Sequence, residues 1–104
     1  MNPVHTWSGR FCGWIDADGL FNQEGRHVGQ IYRGIVYNEN GNYLGELMEE
    51  RLITNILRKD THRWYGFFAN PELSKGSDDQ ITTEPAKPML DGYEDFPDLA
   101  TARS

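Results

Sequence analysis

A chain of 104 residues, 38% of them hydrophobic, has room for one small domain whose core closes with a modest margin. A formal net charge of −6 excludes general nucleic-acid binding, which needs a basic face to release counterions, and no apolar run is long enough to cross a membrane as a helix. The single cysteine, Cys12, excludes an internal disulfide, and no basic-then-apolar leader opens the sequence, so a cytoplasmic location is expected.

The chain divides by composition. Residues 1–70 hold all three Trp and nearly all the glycines, and residues 1–68 balance eight acidic against seven basic side chains. Beyond residue 68 there are eight acidic and three basic side chains and four of the five Pro. The expected organisation is a domain over 1–70 and an acidic linker or tail over 71–104.

In chain order, three segments repeat every sixteen residues: Gly9-Arg10-Phe11-Cys12-Gly13-Trp14-Ile15, Gly25-Arg26-His27-Val28-Gly29-Gln30-Ile31 and Gly41-Asn42-Tyr43-Leu44-Gly45-Glu46-Leu47. The second half of each unit repeats too, as Leu20-Phe21-Asn22, Val36-Tyr37-Asn38 and Leu52-Ile53-Thr54. Self-similarity at a fixed period specifies architecture before propensity does. Asp18-Gly19, Glu24-Gly25, Arg33-Gly34 and Asn40-Gly41 punctuate the units about eight residues apart, as tight hairpin turns require. The reading is all-β: an antiparallel meander of about eight short strands in four β-hairpins.

Apolar residues recur at Cys12, Val28 and Leu44 and again three positions on at Ile15, Ile31 and Leu47. A flat strand would put these on opposite faces, so a bulge or bend is expected at the intervening Gly13, Gly29 and Gly45. Cys12 is then a small core residue and not a nucleophile. Residues 44–58 also fit an amphipathic helix on spacing alone, but the repeat phase assigns them to two strands.

A fourth unit is expected to start at His62, where Arg63-Trp64-Tyr65-Gly66-Phe67-Phe68 aligns with residues 10–15. It arrives five residues late, and its second strand is either Val4-His5-Thr6-Trp7, closing a ring, or part of the tail. Residues 74–87 read as a linker or disordered segment. Residues 89–97 form an apolar and acidic island, which either folds back on the body or serves as a short docking motif.

The run from Gly9 to Phe21, with Gly41-Asn42-Tyr43-Leu44-Gly45-Glu46-Leu47 and Arg51-Leu52-Ile53-Thr54-Asn55, resembles the bacterial family called the 4-fold beta flower. The resemblance covers roughly residues 8–68, and Gly92-Tyr93-Glu94-Asp95-Phe96 is similar to an ending associated with such proteins. It implies four hairpin petals around a pseudo-fourfold axis, followed here by an acidic irregular tail. It brings no activity and no catalytic residues.

Chemistry-bearing motifs are sparse. His5, His27 and His62 lack metal-ligand spacing, and Asp16-Ala17-Asp18-Gly19 lacks the later ligands of a calcium loop, so no metal and no cofactor are expected. No nucleophile–base arrangement and no phosphate loop stand out, so an enzyme is not expected. The candidate residues come from symmetry. Arg10, Arg26 and Arg63, with Asn42, hold one repeat position and would form an anion-binding ring in a fourfold structure, with Tyr93, Glu94, Asp95 and Phe96 as its occupant in cis or from another copy. Phe11, His27, Tyr43 and Trp64 share a second position and are expected to pack between petals. Trp14 has Gln30 and Glu46 as equivalents, which makes it a candidate exposed contact residue.

The function expected from these features is a non-enzymatic interaction module for a protein or peptide, or for a second copy of itself through the tail. The alternatives are a small acidic inhibitor or immunity-type protein with a basic partner, and a ligand or catalytic pocket on the pseudo-fourfold axis.

Overall fold

The computed structural model describes residues 2–59, 63–64, 66–72 and 83–97. Eight strands carry the fold: β1 (Asn2–Thr6), β2 (Phe11–Asp16), β3 (Gly19–Asn22), β4 (His27–Tyr32), β5 (Ile35–Tyr37), β6 (Tyr43–Met48), β7 (Arg51–Asn55) and β8 (Tyr93–Asp95). The repeat phase prevails over helical spacing in residues 44–58, where β6 and β7 are followed only by a short 3-10 turn, Ile56–Arg58. Among the described residues no helix is long and apolar enough to cross a membrane.

The strands lie side by side in chain order, but they close into a barrel and are not the simple antiparallel meander expected. β1 pairs antiparallel with β2 and also parallel with β7, through His5 opposite Arg51 and Thr6 opposite Leu52. Strands β1 to β7 therefore close a barrel, and β8 adds to β7. Closure hides the edges that β1 and β7 would otherwise offer for aggregation.

Three petals are contiguous hairpins, β2–β3, β4–β5 and β6–β7, each turned by two residues. Between petals the chain is turned by an Asn side chain. Asn22 Oδ1 accepts from the amides of Glu24 and Arg26 at 2.9 and 3.0 Å, and Asn38 Oδ1 accepts from those of Asn40 and Asn42 at the same distances. Such local bonds mimic a backbone turn and account for Asn at this phase. Thr6 does the same work before β2, taking the Arg10 amide at 3.3 Å.

The expected bend appears at three seams between petals, β1–β2, β3–β4 and β5–β6. Pairing skips one residue between Val4 and His5, between Leu20 and Phe21, and between Val36 and Tyr37. The residue left unpaired opposite each shift is Cys12, Val28 or Leu44. A bulge of this kind turns the extra side chain inward. Gly13 is required beside it, because a Cβ there would strike the Phe21 carbonyl.

The interior is apolar. Val4, Leu20, Val36 and Leu52, one from each second strand, are buried, and with Cys12 and Phe96 they form the core, flanked by Ile15, Val28, Ile31 and Leu44. Burying each of these large aliphatic side chains contributes about 1.5–3 kcal/mol relative to exposure.

The fourth petal departs from the expected one. Arg63 makes only an isolated bridge to Asn42, and the chain after it crosses other petals, with the Trp64 amide donating to Gly41 O at 2.9 Å and that of Phe67 to Glu39 O at 3.1 Å. The local match at residues 63–68 was to composition without the downstream strand that a petal needs. His62 and Tyr65 lie outside the described residues, as do residues 74–82 of the expected linker. In place of residues 63–68, β8 lies on β7 with Ile53 opposite Asp95, as Phe21 stands opposite His27 and Tyr37 opposite Tyr43. That register makes Phe96 the equivalent of Cys12, Val28 and Leu44.

Candidate functional site: an internal strand slot

Each residue singled out in the sequence has a definite place. Trp14 is a correction: it is fully buried, not an exposed contact residue. Its indole meets Phe11 edge to face at 5.1 Å and has Pro3 and Phe21 as cross-strand neighbours. Repeat equivalence fixes a backbone position, not the side chains around it, so Gln30 and Glu46 were poor guides.

Phe11, His27 and Tyr43 do pack between petals. His5 meets Phe11 at 5.8 Å, Phe21 stacks on His27 at 5.0 Å, and Tyr37 stands opposite Tyr43. Trp64 belongs to no petal; it stacks on Tyr32 at 5.2 Å and leans on Tyr37 at 5.5 Å.

The arginines divide. Arg10 reaches the 93–96 segment, donating from Nη2 to the Phe96 carbonyl at 3.2 Å. Arg26 and Arg63 are exposed elsewhere, at the start of β4 and beside Asn42. The structure brings together Arg10, Tyr93, Glu94, Asp95 and Phe96, and not the other two arginines or Trp14.

What holds residues 93–96 is a slot with partners for the side chains of Glu94, Asp95 and Phe96. The floor is the edge of β7, paired as Asn55 with Tyr93, Thr54 with Glu94 and Ile53 with Asp95. Phe96 enters the barrel and is 1% exposed. It fits because Gly45 has no side chain; a Cβ there would stand 2.6 Å from Phe96 Cδ1. Glu94 pairs with Lys59 Nζ at 2.8 Å. Asp95 accepts from the Ser8 hydroxyl at 2.5 Å, the Ser8 amide at 3.3 Å and the Thr6 hydroxyl at 3.4 Å.

The slot's rim is braced on both sides. Tyr43 donates its hydroxyl to Glu46 Oε2 at 2.7 Å and accepts from the Asn55 amide at 2.9 Å, while Arg58 pairs with the same Glu46 oxygen at 3.3 Å. Burial, reinforced by the bonded Glu46 carboxylate, holds the Tyr43 hydroxyl protonated well above the usual tyrosine range. On the other side the approach to β8 is tied down: Trp7 Nε1 donates to Pro88 O at 2.9 Å, Lys87 N to Trp7 O at 3.0 Å and Ile56 N to Gly92 O at 2.9 Å. Sequence reasoning missed Lys59, Ser8 and Gly45 as members of this site. The only available signal was the register of β8, which the sixteen-residue phase does not reach.

Among the described residues no cluster of three or more His, Cys, Asp or Glu is placed to hold a metal ion. Asp16-Ala17-Asp18-Gly19 forms the β2–β3 hairpin turn, with Asp16 paired opposite Gly19.

The fold and slot define a class: a small barrel of β-hairpin petals filled by its own side chains. The chain belongs to the 4-fold beta flower family, whose model matches residues 2–92. No curated protein and no solved structure matches it.

Proposed function

We propose that this chain is a non-enzymatic protein- or peptide-interaction module of the bacterial cytoplasm, built as four petals of which the fourth has β1 and β8 side by side on β7. The observation that supports it is the placing of residues 93–96: a short acidic and aromatic strand added to a sheet edge, with one aromatic side chain in the core. Strand addition is a general mode of peptide recognition, in which backbone bonds give affinity and pockets for side chains give specificity. The net charge of −6 favours protein over nucleic acid as partner.

The test is capture by the full chain carrying Phe96→Ala, with and without an excess of a free peptide of residues 91–97. A bacterial protein retained by the chain and displaced by the peptide fits the proposal. Capture that ignores the peptide ends it.

A further inference from the structure

We infer that the slot reads a particular peptide class, an extended strand ending in the pattern acid-acid-Phe presented by another molecule, and that the chain's own residues 93–96 are a built-in competitor for it. This rests on the interaction-module proposal and names the ligand of the same site.

The first support is the chemistry of the slot. Three of the four positions of the strand meet a group that discriminates: the Lys59 ammonium at Glu94, the Ser8 and Thr6 hydroxyls at Asp95, and an apolar cavity roofed by Gly45 at Phe96. Arg10 then takes the carbonyl of the last residue, which fixes the strand's register. A lysine in place of either acid would face Lys59 or leave hydroxyl donors unpaired, and a small residue in place of Phe would leave the core open.

The second support is connectivity. The other connections between petals are short, four residues from β3 to β4 and five from β5 to β6, whereas residues 56–92 separate β7 from β8. The entropy of closing a loop grows with the logarithm of its length, so β8 is held in place less favourably than β4 or β6. A tethered strand competes at an effective concentration set by its connection, on the order of millimolar for a short linker and lower for a longer one, which a free strand can match. The family match ends at residue 92, so the occupant lies beyond the matched span while the slot lies within it.

The experiment titrates a fluorescently labelled peptide of sequence Asp-Gly-Tyr-Glu-Asp-Phe-Pro into the full chain, wild type and Phe96→Ala, and follows anisotropy. The Phe96→Ala chain is expected to bind at least about tenfold more tightly than wild type, whose own strand competes. Replacing the peptide's Phe by Ala is expected to weaken binding by about tenfold or more, and replacing both acids by Lys by several-fold, with loss of salt dependence. Equal binding of the native and scrambled peptides overturns the sequence code but leaves a strand-adding module. Absence of binding by a Phe96→Ala chain that still melts cooperatively overturns both. If Phe96→Ala does not fold, the full chain with Asp95→Ala, which keeps the core intact, takes its place; it is expected to bind the peptide more tightly than wild type, and no gain overturns the competitor claim.

Discussion

The first three petals and the fourth are built on different principles. Each of the first is one contiguous hairpin, its strands joined by two residues and its neighbour set by an Asn or Gly turn. The fourth is no hairpin: β1 and β8, at the two ends of the strand order, both lie on β7, and no strand pairing joins them among the described residues. It substitutes side-chain contacts for local connection: Ser8 and Thr6 to Asp95, Arg10 to the Phe96 carbonyl, Lys59 to Glu94. The difference teaches that one barrel can combine strands held by chain connectivity with a strand held by recognition.

The comparison can be broken most directly in the core. Leu20→Ala, in a contiguous petal, is expected to cost about 2–5 kcal/mol in denaturant unfolding, and Phe96→Ala about 3–5 kcal/mol if β8 melts together with the barrel. A much smaller cost for Phe96→Ala, with hydrogen exchange rising only around residues 93–96, would show that the fourth petal opens by itself. Next, Asp95→Ala is expected to cost about 1–2 kcal/mol, since it leaves the Ser8 and Thr6 hydroxyls without their charged acceptor; no change in stability would remove Asp95 from the list of anchors.

Much of the fold was legible because its signals are local. Asn22 and Asn38 mark turns that depend on a few neighbouring residues, and Gly13 marks a bulge where the partner backbone comes too close for any side chain. The fourth petal was illegible for the opposite reason. β8 has three residues, and Pro97 follows Phe96 where Gly follows Cys12, Val28 and Leu44. Arg63-Trp64 imitated a petal start in composition, yet its chain lies across Tyr32 and Tyr37. Of the candidate site, the acidic-aromatic strand and Arg10 were visible in sequence; Lys59, Ser8 and Gly45 became visible only through pairing between distant strands.

Two smaller effects sharpen the contrast. Tyr43 links a contiguous petal to the slot's rim through Glu46 and Asn55. Its hydroxyl is pushed up by burial, so folding favours the protonated form. That contribution is complete below about pH 10, the unfolded tyrosine range, and falls as pH rises above it because the unfolded chain then holds fewer protons. Tyr43→Phe is expected to cost about 1 kcal/mol at neutral pH and to flatten the alkaline fall; an unchanged slope would assign the fall to other groups. At the β6–β7 turn, Glu49 and Glu50 have φ of 50° and 65°, a conformation that suits Asn-Gly better than two like-charged residues. The double change Glu49→Asn and Glu50→Gly is expected to raise stability by about 0.5–1 kcal/mol by thermal unfolding, without altering peptide uptake by the slot.

The parallel seam between β1 and β7 also has a kinetic consequence. The hairpin turns join residues that are neighbours in sequence, whereas this seam sets Thr6 opposite Leu52. Contacts between near neighbours form early in folding, while distant ones wait for the loop between them to close. The petals are thus expected to form first, with the barrel shut last by a contact that holds little in the transition state. A weakened seam would then shorten the lifetime of the folded barrel while leaving the speed of its formation nearly unchanged.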